Sequence, residues 1–124
     1  MLDHPYRILI ADDEEASRDL IARLLREEFG SLDLLIEIAA VATVAEAKKS
    51  LRAFSEADRP FDVLILDWKF AGHKGNGDDL LRWLKAESLH VNTEVILLTG
   101  HLDENPRLPE IVLEHGAYAF AEKA

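Results

Sequence analysis

Phe61-Asp-Val-Leu-Ile-Leu-Asp67 decides the fold. Its β-branched and apolar centre, set off by Arg59-Pro60 and closed by an acid, predicts a strand. Working outward, Arg7-Ile-Leu-Ile-Ala11 is a nearly continuous apolar run that also stops on acids, Asp12 and Asp13, the pattern of a strand buried on both faces. Between these two runs, Glu14 to Phe29 places Leu20, Ile21, Leu24, Leu25 and Phe29 at helical spacing, with acids in the first turn and Gly30 where a helix ends. Leu34 to Ala40 reads as a second strand, and Thr43-Val-Ala-Glu46 fits a capping box opening a helix to about Ala57.

Beyond Asp67, the glycine-rich segment Ala71 to Gly77 reads as a loop, and Leu80, Leu81, Trp83 and Leu84 form the stripe of a third helix, with Trp83 expected in the core. Glu94 to Leu98 is a fourth strand ending on Thr99-Gly100. Pro106 and Pro109 confine a fourth helix to Glu110 to His115, and Ala117 to Ala121 is a weaker final strand. Strands alternating with helices in this way predict an α/β fold, a parallel five-stranded sheet with helices on both faces. The chain stops directly after the fifth strand, so no helix is expected to cover that edge.

Composition narrows the function classes. At 124 residues the chain suits one domain, residues 1–124, and 48% hydrophobic with 31% charged residues is a folding balance, not a disordered one. A net charge of −10 disfavours a nonspecific grip on nucleic acid or anionic lipid and favours cations or basic partners. The absence of Cys removes thiolate chemistry and suits a reducing compartment, and the N-terminal stretch resembles neither a signal peptide nor a membrane span. A cytoplasmic location is the default expectation.

In an open parallel sheet the strands' C-terminal ends share one edge, so residues far apart in sequence meet there. Asp12 and Asp13 follow the first strand, Asp67 the third, Thr99 the fourth and Lys123 the fifth. Three carboxylates crowded into one crevice stay ionised together only beside a cation. An all-oxygen set suits Mg²⁺ or Mn²⁺, and an ion that keeps open positions can also hold a phosphate. Lys123 and Thr99 then supply an ammonium and a hydroxyl to phosphate oxygens. Asp67, alone at the end of the central strand, is the candidate nucleophile for an aspartyl phosphate, leaving Asp12 and Asp13 to hold metal.

Ile8-Leu-Ile-Ala-Asp-Asp-Glu14, Asp62-Val-Leu-Ile-Leu-Asp67, Val95-Ile-Leu-Leu-Thr-Gly100 and Gly116-Ala-Tyr-Ala-Phe-Ala-Glu-Lys123 together resemble the receiver domain of two-component response regulators, over nearly the whole chain. The resemblance implies a flavodoxin-like doubly wound sheet of order 2-1-3-4-5, and phosphoryl transfer to Asp67 from a histidine kinase or phosphotransfer protein. It also implies Mg²⁺ held by Asp12, Asp13, Asp67 and the backbone carbonyl of Lys69. Thr99 and Phe120 would act as the switch pair, and Lys123 would pair with the phosphoryl group. Such a domain is a phosphoacceptor with slow self-dephosphorylation rather than an enzyme.

Four features depart from the family pattern. The loop Trp68-Lys69-Phe70-Ala71-Gly72 lacks the usual proline, the Asp13-to-Asp67 spacing is long, Ala124 follows Lys123, and the final helix is absent, as in a domain truncated before it. If the coding sequence ended there, edge pairing or swapping into a homodimer would be expected. Two other functions compete. A haloacid-dehalogenase-like phosphatase would place an Asp-x-Asp pair after its first strand, where this chain has adjacent acids. A phosphorylation-independent interaction module would not need all five polar positions. The five histidines show no metal-ligand spacing, although His101, two positions past Thr99, lies on the rim of the proposed site.

Overall fold

The computed structural model of the protein describes residues 5–67, 77–89, 92–99 and 119–122. The elements run β1 (Tyr6–Ala11), α1 (Glu15–Ser31), β2 (Ile36–Val41), α2 (Val44–Glu56), β3 (Val63–Asp67), α3 (Gly77–Ala86), β4 (Glu94–Thr99) and β5 (Ala119–Glu122). The strands form one sheet of order β2-β1-β3-β4-β5, and every neighbouring pair is parallel. The expected helix over 110–115 lies outside the described residues.

Alternation along the strands builds two hydrophobic layers. Leu9 and Ala11 of β1, Leu64 and Leu66 of β3, and Val95 and Leu97 of β4 face α2 and α3, where they meet Val44, Ala47, Leu51, Leu80, Leu81 and Leu84. Ile8, Ile10 and Ile65 point the other way, onto Ala22, Ile21, Leu25 and Phe29 of α1. Phe61, just before β3, is buried and stacks on Phe54 of α2, with ring centroids 4.3 Å apart. Because β1 is covered on both faces, its interior residues need no polar alternation, and each fully buried Leu or Ile contributes about 1.5–3 kcal/mol relative to exposure.

The opposite, N-terminal edge of the sheet is pinned by polar contacts. The backbone N–H of Arg7 donates to Asp62 Oδ2 and that of Asp62 donates to the Arg7 carbonyl, both at 2.8 Å. The buried Thr93 hydroxyl donates to the Phe61 carbonyl at 2.7 Å. These bonds set the register in which β3 and β4 run toward their C-terminal ends.

Several sequence expectations shift in register or role. Helix α1 runs through Gly30 to Ser31, and the left-handed turn that follows is taken by Asp33 at φ 56°. Asp tolerates that region better than most residues, so Gly30 is not the stop. Strand β2 begins at Ile36, not Leu34, and Leu34 and Leu35 are exposed. The α1 stripe is only half used, because Leu20 and Leu24 lie one helical face away from Ile21, Leu25 and Phe29 and face solvent.

Trp83 packs against the core's edge but is half-buried, with Lys48 at 5.7 Å and Arg52 at 5.4 Å from its ring centroid. At the start of α2, Glu46 N–H donates to Thr43 Oγ1 at 3.1 Å, as the capping box requires. The Glu46 carboxylate, however, accepts from the Thr43 hydroxyl instead of reaching the cap's own backbone N–H.

Candidate functional site

Helix α1 leaves β1 over one face of the sheet and α2 crosses β1 on the other, so the chain diverges at the C-terminal ends of β1 and β3 and a crevice opens between them. Asp12 extends the β1 ladder by one bond, its N–H donating to the Val41 carbonyl at 3.1 Å. Its carboxylate turns back on the following loop, where Oδ1 accepts from Glu14 N–H at 2.9 Å and Oδ2 from the Ser17 hydroxyl at 2.6 Å. The Arg18 guanidinium donates to the Asp12 carbonyl at 2.9 Å. Asp12 is 1% exposed and Asp67, the last residue of β3, is 7% exposed.

Oxygens of Asp12, Asp13 and Asp67 all lie within 4.8 Å of one another. At that separation two carboxylates repel by about 3 kcal/mol with an effective dielectric of 20, and by about 1 kcal/mol with that of water. Asp13 Oδ1 is buried and has no hydrogen-bond partner among the described residues. A buried anionic oxygen without a donor is costly unless a cation meets it. The donor set is oxygen alone, which fits Mg²⁺ or Mn²⁺ and not the nitrogen and sulfur preference of zinc. Charge, donor type and the unsatisfied oxygen agree with a hard divalent ion.

The other residues singled out from sequence are placed less fully. Thr99 ends β4 opposite Glu122 of β5, and Phe120 pairs in register with Leu97, so the backbone brings both strands to the same edge as Asp67. Lys69, Lys123, Trp68 and His101 lie outside the described residues. Ser17 and Arg18 were not anticipated. The only trace in the sequence is a hydroxyl and a guanidinium five and six positions past Asp12, within the first turn of α1, where side chains can reach back to the preceding loop.

The fold and its acidic crevice define a class, flavodoxin-like α/β domains that gather acids at the C-terminal edge of a parallel sheet. Residues 8–124 match the response regulator receiver domain family, and the chain belongs to it. It is 32% identical over 117 residues to the phosphate regulon transcriptional regulatory protein PhoB of Pseudomonas aeruginosa, a match covering 94% of this chain and 44% of that protein. The Escherichia coli PhoB is 29% identical over 118 residues, with the same coverage of 94% and 44%. The chain thus spans less than half the length of these relatives.

Among solved structures, a response regulator receiver domain protein from Clostridium thermocellum superposes with a TM-score of 0.70 at 30% identity, covering 94% of this chain and 81% of that one. The receiver domain of NtrX from Brucella abortus gives 0.71 at 28% identity, covering 94% and 84%. A cyanobacterial phytochrome response regulator, RcpA, shares the fold with a TM-score of 0.78 at 22% identity, over 98% of this chain and 82% of that one. Receiver domains are signalling modules, not enzymes in the ordinary sense, and act as partners of histidine kinases or phosphotransfer proteins. Among the described residues no helix is long and apolar enough to cross a membrane.

Proposed function

We propose that this domain is a phosphorylation-controlled switch in which Asp67 accepts a phosphoryl group from a phosphohistidine on a histidine kinase or phosphotransfer protein. The single observation that carries the reading is the convergence of Asp12, Asp13 and Asp67 within 4.8 Å, with a buried Asp13 oxygen unsatisfied among the described residues. In the transfer, a carboxylate oxygen of Asp67 attacks phosphorus, the P–N bond breaks, and the imidazole leaves and takes up a proton. Asp12, Asp13, Asp67 and the backbone carbonyl of Lys69 would hold Mg²⁺, which supplies charge neutralisation to the phosphoryl oxygens.

Burial of Asp67 keeps competing water from most directions and holds its carboxylate at a fixed position at the end of a rigid central strand. Asp12, with both oxygens engaged by donors from the loop and α1, is orienting rather than nucleophilic. Thr99 and Lys123 would donate to the phosphoryl oxygens, and Thr99 with Phe120 would carry the change to the β4–β5 side of the domain. Slow self-hydrolysis of the acyl phosphate would reset the switch. Its setting is the cytoplasm, and the output it controls belongs to whatever this domain is joined to or binds, as suggested by the longer PhoB relatives, which are transcriptional regulatory proteins.

The test is incubation with Mg²⁺ and a small phosphodonor such as acetyl phosphate, followed by intact-protein mass spectrometry. The expected result is one added phosphoryl group, lost in Asp67→Asn and strongly reduced in Lys123→Ala with metal binding retained. Turnover of the donor without an adduct would indicate a phosphatase. No reaction by the wild type would indicate a phosphorylation-independent interaction module.

A further inference from the structure

Asp12 has little freedom left in its backbone. Its N–H is tied to the Val41 carbonyl at 3.1 Å and its own carbonyl is gripped by Arg18 at 2.9 Å. What remains to be set is the side-chain torsion, which decides where the lone pairs of a nearly fully buried carboxylate point. Among the described residues two donors act on it. The Glu14 N–H, 2.9 Å from Oδ1, is a backbone group that any residue at that position supplies. The Ser17 hydroxyl, 2.6 Å from Oδ2, is a property of this particular side chain.

A single donor on Oδ1 leaves the carboxylate able to pivot about that anchor, whereas a second on Oδ2 locks the plane. Each carboxylate oxygen offers two in-plane lone-pair directions, and the Ser17 bond uses one of those on Oδ2. A donated hydroxyl proton also draws charge from the carboxylate, which by itself weakens it as a ligand. Mg²⁺, however, demands near-ideal octahedral geometry with short metal–oxygen distances, so orientation outweighs that loss. Hydrogen-bond partners of metal ligands typically change affinity by about 10–100-fold when removed.

We infer that Ser17 is a positioning residue for the divalent cation, acting through Asp12 and touching neither metal nor phosphoryl group. The inference rests on the reading of the acidic crevice as a Mg²⁺ site, and the closing experiment separates the two. Mg²⁺ affinity is measured by isothermal titration calorimetry on the full chain for the wild type, Ser17→Ala, Ser17→Thr and Ser17→Val, with urea unfolding of each in the absence of metal. Thr and Val have the same shape and differ in the hydroxyl, so their comparison holds even if one variant is less stable.

Kd is expected to rise about tenfold in Ser17→Ala and Ser17→Val and to stay within about threefold of wild type in Ser17→Thr. Metal-free unfolding midpoints of the Thr and Val variants should differ far less than their affinities. Wild-type or tighter affinity in Ser17→Val, or equal weakening in Thr and Val, overturns the role of Ser17 while leaving the metal site intact. A wild type that takes up no Mg²⁺ overturns both.

Discussion

Asp13→Asn probes the electrostatic logic of the crevice in its most exposed form. Asp13 takes part in two of the three carboxylate pairs formed with Asp12 and Asp67, each with oxygens within 4.8 Å. Such a pair costs between about 1 and 3 kcal/mol as the effective dielectric falls from 80 to 20. Asp13 is half-buried, so its two pairs lie toward the screened end of that range, and together they cost about 2 kcal/mol. Asparagine keeps the size of the side chain and removes the charge.

In buffer with a chelator the variant should therefore be more stable than wild type by about 2 kcal/mol, or about 8 °C in Tm for a chain of this length. Mg²⁺ should have the reverse effect. At about ten times its Kd the ion stabilises the wild type by about 1.4 kcal/mol, and this gain should largely vanish in Asp13→Asn. Thermal unfolding followed by circular dichroism, with and without Mg²⁺, reads both quantities. A variant less stable than wild type in chelator, or one that keeps the full Mg²⁺ gain, would refute the claim that the three acids are mutually repelling and cation-seeking.

Two further substitutions test the scaffold that presents the site. Thr43→Ala removes the side-chain oxygen that accepts from Glu46 N–H, and should cost about 1 kcal/mol in urea unfolding with Mg²⁺ affinity unchanged. Stability within about 0.2 kcal/mol of wild type would show that the cap is not needed. Thr93→Val keeps the shape but leaves the Phe61 carbonyl without its 2.7 Å donor, and should cost about 1–3 kcal/mol. A neutral or stabilising effect would show that the bond does not anchor β3 to β4.

Much of the architecture was legible because burial on two faces leaves a plain mark. Ile8 to Ala11 and Leu64 to Leu66 are apolar throughout, and both runs end at the acids that the fold brings together. The ends of elements were less legible. Gly30 looked like a stop, yet helix propagation carried through it and Asp33 took the left-handed turn. The helical spacing of Leu20 and Leu24 could not say which of two adjacent faces meets the sheet, because a stripe broader than the contact leaves one side exposed whichever way the helix rolls. Trp83 is expected inside, but its indole lies at the edge of the core, with the Lys48 ammonium and the Arg52 guanidinium over its ring.

The sequence by itself determined the order of strands and helices, the acids at their ends and the oxygen-only chemistry those acids permit, since hydrophobic period and residue type are local properties. Tertiary structure decided what local properties cannot. Parallel crossovers set the distance between Asp12 and Asp67, packing left Asp13 Oδ1 without a partner among the described residues, and the angle at which α1 leaves β1 put the Ser17 hydroxyl on the Asp12 carboxylate. Electrostatic repulsion and metal affinity both depend on separations of a few ångströms between residues far apart along the chain, and only the closed sheet specifies those.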